Sequence, residues 1–241
     1  MENSVIDEIV LNSIQKIKNV KRAKKKFTGL LSKADPFELS IKCNTALEIV
    51  EYVYENHKRI SSKTILGYLY ENIANGIVEF IYNGYKSSHQ CSDLEWLDNL
   101  QKKHYRGWKS STNWGNSDQI KSCIKKLEEF QKSSDFGSFM VCTSYGKSTK
   151  KRKIVKGFIQ ISGQDAWDSI SGDSEMYNKV LESITNKKTI IEEVINNIYF
   201  SEYQKAENWI LENFSFSNKT INYKKINEFI SGKNKIEVSK W

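Results

Sequence analysis

The sequence predicts an α/β protein in which a mixed central sheet is flanked by helices, with further helical segments at the N- and C-terminal ends. Three observations carry this expectation. Apolar residues recur at helical spacing through the first third, two strand-like segments follow between residues 91 and 109, and two more strand-like segments precede a last run of helical patterns.

Taken in order, Val5, Ile9, Val10, Ile14 and Ile17 predict an amphipathic helix over residues 4–20, which the basic run KRAKKK (Lys21 to Lys26) continues or ends. Asp35-Pro36 marks a break. Leu47, Val50, Val53 and Tyr54 predict a second helix over about residues 43–58, and Ser61-Ser62 offers the N-cap of a third that reaches about residue 82. In CSDLEWL (91–97) the acids Asp93 and Glu95 share one parity and Leu94 and Trp96 the other, which is the period of a strand. In HYRGWK (104–109) Tyr105, Gly107 and Lys109 share a parity too, and the two segments with their short polar connection read as a β-hairpin.

Ser117 caps the next predicted helix, in which Ile120, Cys123, Ile124, Leu127 and Phe130 recur at helical spacing. Residues 136–145, ending FMVCTSY, and KIVKGFIQIS (153–162) read as two further strands around the basic loop KSTKKRK (Lys147 to Lys153). Helices are expected over Asp165 to Ile170, Glu175 to Phe200 and Tyr203 to Phe214, with a short helix and tail over 220–241. No Pro-, Gly- or Ser-rich linker divides the chain, so it reads as a single domain, residues 1–241, with a helical arm (1–60), a core (61–190) and a helical C-terminal segment (191–241).

Composition limits the function. With 39% hydrophobic residues and one proline among 241, the chain can bury a sizeable core and is expected to be ordered. No stretch approaches the roughly 20 apolar residues of a membrane span, and the acidic start MENSVIDEIV lacks the basic-then-apolar pattern of a secretion signal, so a cytoplasmic protein is expected. Cys43, Cys91, Cys123 and Cys142 form no CxxC pair, which signals neither a zinc site nor a disulfide framework and predicts reduced, mostly buried thiols. A net charge of +8 favours an anionic partner, nucleic acid first. No GxxxxGK[ST] loop is present, and His57, His89 and His104 are too scattered for a histidine-based site.

The chemistry concentrates in the hairpin. Its pairing brings Asp93 and Glu95 of one strand towards Lys109 at the end of the other, a pattern that an ordinary cross-strand surface pair also produces. Asp93 with a backbone carbonyl near Trp108 offers hard oxygens for Mg²⁺, and Lys109 a cation beside them. Such a set suits phosphodiester hydrolysis.

The segments SDLEWL and YRGWKSSTNWGNSDQIK resemble the core of type II restriction endonucleases of the PD-(D/E)XK superfamily. More narrowly, they are similar to the subgroup that cuts GGNCC-type sites, where a D-x-E strand is followed by a strand ending in lysine and a polar Asn-Trp-x-Asn-Ser turn. GYLYENIA (Gly67 to Ala74) and GFIQISGQDAWDSISGDSEMY (Gly157 to Tyr177) extend the similarity to roughly residues 35–190. The resemblance implies a restriction-endonuclease-like core, a Mg²⁺-dependent cut in double-stranded DNA, a homodimer and a cognate DNA methyltransferase.

Residue by residue, it implies that Asp93 is the metal-binding aspartate, Lys109 the motif lysine and Glu71 the helical acid that supports the metal. Two departures stand out. The acid expected two residues before the lysine is Gly107, so Glu95 or Glu71 must supply the second carboxylate, and Ser111-Thr112 stands where related sequences often have Gly-Pro.

On this reading Asn113, Asn116, Ser117 and the N–H groups at the start of the Ser117 helix hold a phosphate. Lys147, Lys150, Lys151 and Arg152 reach DNA from the basic loop, with Arg152 the better base reader because a guanidinium pairs bidentately with guanine. KRAKKK is a further candidate for phosphate contact. Trp108 and Trp114 stay open between core wall and base-stacking platform, and Trp167 is assigned to the core. Two other readings remain: a DNA-binding relative that kept the fold and lost cleavage, favoured by Gly107, and an RNA-binding module, which lacks an RNP-type signature.

Overall fold

In the computed structural model the described residues are 1–18, 26–89, 91–110, 117–147, 153–155, 158–200 and 203–232. They fall into two units: residues 1–19 with 64–191, and residues 20–63 with 192–241. The first helix, α1 (Asn3–Ile17), belongs to the first unit and the stretch from residue 20 to the second, so the helical region 1–60 is shared between them.

The second unit is helical. It holds α2 (Phe27–Leu31), α3 (Pro36–Lys42), the start of α4 (Ala46–Tyr82), most of α8 (Lys188–Phe200), α9 (Tyr203–Phe214) and α10 (Tyr223–Ser231). Asp35 caps α3 by accepting from the N–H groups of Phe37 and Glu38, and proline at the first helical position costs nothing there because its missing N–H has no intrahelical partner. Thr45 and Glu48 form a capping box for α4: the Glu48 carboxylate accepts the Thr45 N–H while the Thr45 hydroxyl accepts the Glu48 N–H. Phe27, Ile49, Val50, Trp209, Ile210 and Phe214 are among its core residues.

One expectation fails here. The helices predicted over 43–58 and 61–82 are a single 37-residue helix. No glycine or proline lies near Ser61-Ser62 to interrupt it, and the Ser62 hydroxyl turns back on the Arg59 carbonyl at 3.5 Å instead of capping a new helix.

The first unit carries a six-stranded mixed sheet in the order β1 (Tyr85–Lys86), β2 (Leu94–Leu97), β3 (Lys103–Lys109), β4 (Phe136–Thr143), β6 (Phe158–Ser162), β5 (Lys153–Val155). β1, β2 and β3 are antiparallel, with Leu94 opposite Arg106 and Glu95 opposite Tyr105, which is the expected hairpin. β3 and β4 are parallel and therefore need a crossover, supplied by α5 (Ser117–Gln131). Cys123, Phe130 and the partly buried Ile120, Ile124 and Leu127 of α5 pack against Tyr105, Phe139 and Val141. These are the residues whose spacing predicts that helix.

The opposite face meets α4 and α6 (Gln164–Ser171). The Trp96 ring stacks on Tyr82 of α4 at 5.3 Å, and Trp108 meets Trp167 of α6 edge to face at 4.7 Å. α6 stops at Gly172, whose φ of +67° a residue with a β-carbon resists. The predicted strand 153–162 is two strands, β5 and β6, paired antiparallel to each other. The predicted helix 175–200 likewise divides into α7 (Met176–Asn186) and α8 at Lys187. The short β1 carries too few residues for a period to show. α1 joins α7 through the carboxylate of Asp7, which accepts from Ser183 at 2.5 Å and from Lys187.

Candidate active site

The Asp93 N–H donates to the Arg106 carbonyl at 2.8 Å, so Asp93 and Leu94 both face Arg106 at the start of β2, one residue out of the register that follows. Its carboxylate then reaches the last turns of β3. Oδ2 accepts from the Trp108 N–H at 2.6 Å and from the Lys109 ammonium at 2.8 Å. A main-chain donor and a cation on one oxygen fix the carboxylate's orientation, and both side chains keep about a quarter of their surface in solvent (22% for Asp93, 27% for Lys109), so the pair is reachable.

β3 is held at this end by Ser144, just past β4. The Ser144 N–H donates to the Lys109 carbonyl at 3.0 Å, its hydroxyl accepts from the Trp108 indole N–H at 3.0 Å, and its carbonyl accepts from the Trp167 indole at 3.0 Å. Trp108 is 3% exposed, so its ring is core wall and not a stacking platform. Its backbone is another matter. The Trp108 N–H points to the Asp93 edge of the strand, and in a strand the carbonyl of the same residue lies on the same edge.

The other acids are placed differently. Glu71, on α4, accepts from the Lys86 ammonium of β1 at 2.6 Å. That bond is the main cause of a raised Lys86 pKa, with the charges of Glu71 and Asp93 adding to it, so Lys86 feels both carboxylates. Glu95 is 5% exposed and spends both oxygens on the fold: Oε1 accepts from the Tyr85 hydroxyl at 2.9 Å and Oε2 from Ser87 at 3.1 Å, with His89 at 3.9 Å. Among the described residues no three of Asp, Glu, His or Cys form a group able to hold a metal. Of the two candidates for a second carboxylate, Glu95 is turned into the packing of β1 and Glu71 is paired with Lys86.

Gly107 has a steric reason. A β-carbon there would lie 2.6 Å from the Cys91 carbonyl oxygen, well inside van der Waals contact, so no acid side chain fits at the motif position. Cys91, at φ +81°, is bonded through a disulfide to Cys123 of α5. This overturns the expectation of four reduced thiols. A separation of 32 residues carries no recognisable spacing, and the contact exists only because the crossover lays α5 over β3. Cys43 and Cys142 are free and buried, and burial pushes the Cys142 thiol up to about 11.

Of the expected DNA contacts, Ser117 is exposed at the first residue of α5 and Lys147 is exposed after β4. Asn113, Asn116, Lys150, Lys151 and Arg152 lie outside the described residues, as do Trp114 and Lys21 to Lys25. His104 is a satisfied histidine, bonded to Asp98 at 3.0 Å and Ser138 at 2.8 Å. Lys86 and Ser144 escape sequence reading, since each acquires its role only through strand neighbours distant in the chain.

The donor chemistry fits a small, hard divalent cation. Asp93 Oδ1 accepts no hydrogen bond among the described residues, the Trp108 carbonyl shares its edge, and Mg²⁺ is commonly held by one or two carboxylates while keeping most of its water. No curated protein matches the chain. A model of the family described as type II restriction endonuclease EcoO109I matches residues 3–190, which includes the whole sheet and every acid and lysine of the site. The chain belongs to this family of type II restriction endonucleases, the site-specific deoxyribonucleases.

Proposed function

We propose that the chain is a PD-(D/E)XK-type nuclease that hydrolyses phosphodiester bonds of double-stranded DNA at a short specific sequence, with Mg²⁺ and as a homodimer. The observation that carries this is the 2.8 Å contact of Lys109 with Asp93 across the ends of two adjacent strands. Asp93 and the Trp108 carbonyl would hold the ion, with Glu71 the second carboxylate once Lys86 yields it. When bound, Mg²⁺ lowers the pKa of a coordinated water and neutralises charge on the phosphate.

The chain's own residues supply the remainder. Asp93 orients Lys109, whose ammonium stabilises negative charge as it develops on the phosphoryl oxygens. The N–H groups at the start of α5 meet a neighbouring phosphate, with Ser117 at the helix end and Asn113 and Asn116 just before it in the sequence. Lys147, Lys150, Lys151 and Arg152 contact the DNA backbone or bases. A GGNCC-type site follows from the sequence resemblance, a two-fold dimer suits a palindromic site, and a methyltransferase protecting that site is the expected companion in the cytoplasm.

Gly107 favours a second reading, a DNA-binding relative without cleavage, because the motif acid is absent and its place is taken by a carbonyl. Incubation of mixed-sequence plasmid DNA with the purified chain separates the two. Discrete fragments with Mg²⁺ and intact DNA with EDTA support the nuclease. Intact DNA in both, with a retarded band in a gel shift, supports the binding protein.

A further inference from the structure

We propose that the Cys91–Cys123 disulfide is a redox-sensitive clamp that positions Asp93. The bond closes a loop that contains Asp93, β2, β3 and Lys109, and so ties both members of the pair and the strand between them to α5. Cys91 lies two residues before Asp93, and two contacts hold it in an unfavourable conformation. Its φ is +81°, a region that residues with a β-carbon rarely adopt. Its carbonyl is seated against Gly107, in space that only glycine leaves open. Its sulfur is bound to a buried residue of the helix that covers this face of the sheet.

Reduction removes the sulfur restraint and lets the positive φ relax. A dithiol attacks one sulfur to give a mixed disulfide and releases one cysteine; its second thiol then expels the other cysteine. The protein gains two electrons and two protons, and the dithiol leaves as its cyclic disulfide. With Cys91 free to return to negative φ, its carbonyl leaves Gly107 and the peptide leading into Asp93 turns with it. The two bonds that report this are Asp93 N–H to Arg106 and Trp108 N–H to Asp93.

The clamp acts on the site of the proposed function, but its test does not require cleavage. Thiols of the full chain, purified without reductant, are counted in denaturant, and hydrogen exchange of the native chain is measured with and without dithiothreitol. Two thiols, Cys43 and Cys142, are expected before reduction and four after it. Exchange of the Asp93 and Trp108 amides is expected to rise roughly tenfold on reduction, while the amides of α1 and α7 stay unchanged. A chain with Cys91→Ser and Cys123→Ser is expected to exchange as the reduced chain does.

Four thiols before reduction overturn the proposal, and so does equal exchange in both states. An increase spread evenly over the sheet, α1 and α7 also overturns it, since that is general loosening. In the DNA digest, reduction is expected to raise the Mg²⁺ concentration for half-maximal cleavage. If the oxidised chain cuts nothing, the nuclease reading fails while the exchange result still decides the clamp.

Discussion

Lys109 Nζ and Asp93 Oδ2 stand 2.8 Å apart although 16 residues separate them in the chain. The end of the hairpin makes this contact: Leu94 stands opposite Arg106, the Asp93 N–H bonds to the Arg106 carbonyl, and the Asp93 carboxylate reaches along β3 to the Trp108 N–H and Lys109. An acid and a lysine so placed, with a tryptophan N–H on the same oxygen, form a polar site at the end of a sheet whose two faces are packed by helices.

Restoring the motif acid is expected to harm the protein. Gly107→Glu puts a β-carbon 2.6 Å from the Cys91 carbonyl, and an overpacked core position costs about 1–3 kcal/mol. Thermal unfolding should show a lower midpoint, with no gain in cleavage. A gain without destabilisation contradicts the steric account of this position.

Glu95 is expected to behave as a structural acid. It is buried and accepts from Tyr85 and Ser87, so Glu95→Gln should destabilise the fold by about 1.5–3 kcal/mol, the usual worth of hydrogen bonds to a charged group. The Mg²⁺ dependence of cleavage should stay as in the parent chain. A large rise in the Mg²⁺ requirement with unchanged stability would return Glu95 to the metal site.

Much of this was legible in the residues. Period-2 parity in CSDLEWL and HYRGWK carries the hairpin, and the apolar spacing after Ser117 carries α5, because both depend on near neighbours. The contact of Asp93 with Lys109 follows from that hairpin. What depends on distant neighbours was not legible: the Cys91–Cys123 bond, the turning of Glu95 towards β1, and the grip of Lys86 on Glu71. The continuity of α4 is hidden for another reason, since serine is a common N-cap but also tolerates a helix interior.

Acid should weaken the first unit through Asp173. Its pKa is lowered, chiefly by the hydrogen bond from Lys179, then by the Glu175 N–H, and with a contribution from the N-terminal ammonium. A carboxyl with a depressed folded-state pKa stabilises the fold fully above its ordinary value, and that contribution disappears as pH falls below that value and through the folded-state pKa. Asp173→Asn should lower the unfolding midpoint at pH 7 and flatten its fall below about pH 4, the usual aspartate range. Equal midpoints for both chains at pH 7 contradict this assignment.

The Glu71–Lys86 pair has its own test. Lys86→Met frees Glu71, so the Mg²⁺ concentration for half-maximal cleavage should fall if Glu71 serves the ion as the proposal holds. A rise, with stability unchanged, makes Lys86 itself part of the site and removes Glu71 from the metal set.

The most direct measurement compares the parent chain with Asp93→Asn on the same plasmid in Mg²⁺, alongside a gel shift on the same DNA. Loss of one charge-stabilising group at a reacting centre typically costs about 10²–10³ in rate, and Asp93 both orients Lys109 and faces the proposed ion. Cleavage by Asp93→Asn should therefore fall by about a hundredfold or more, with DNA binding retained. Undiminished cleavage by that variant contradicts the assignment of catalysis to the Asp93–Lys109 pair.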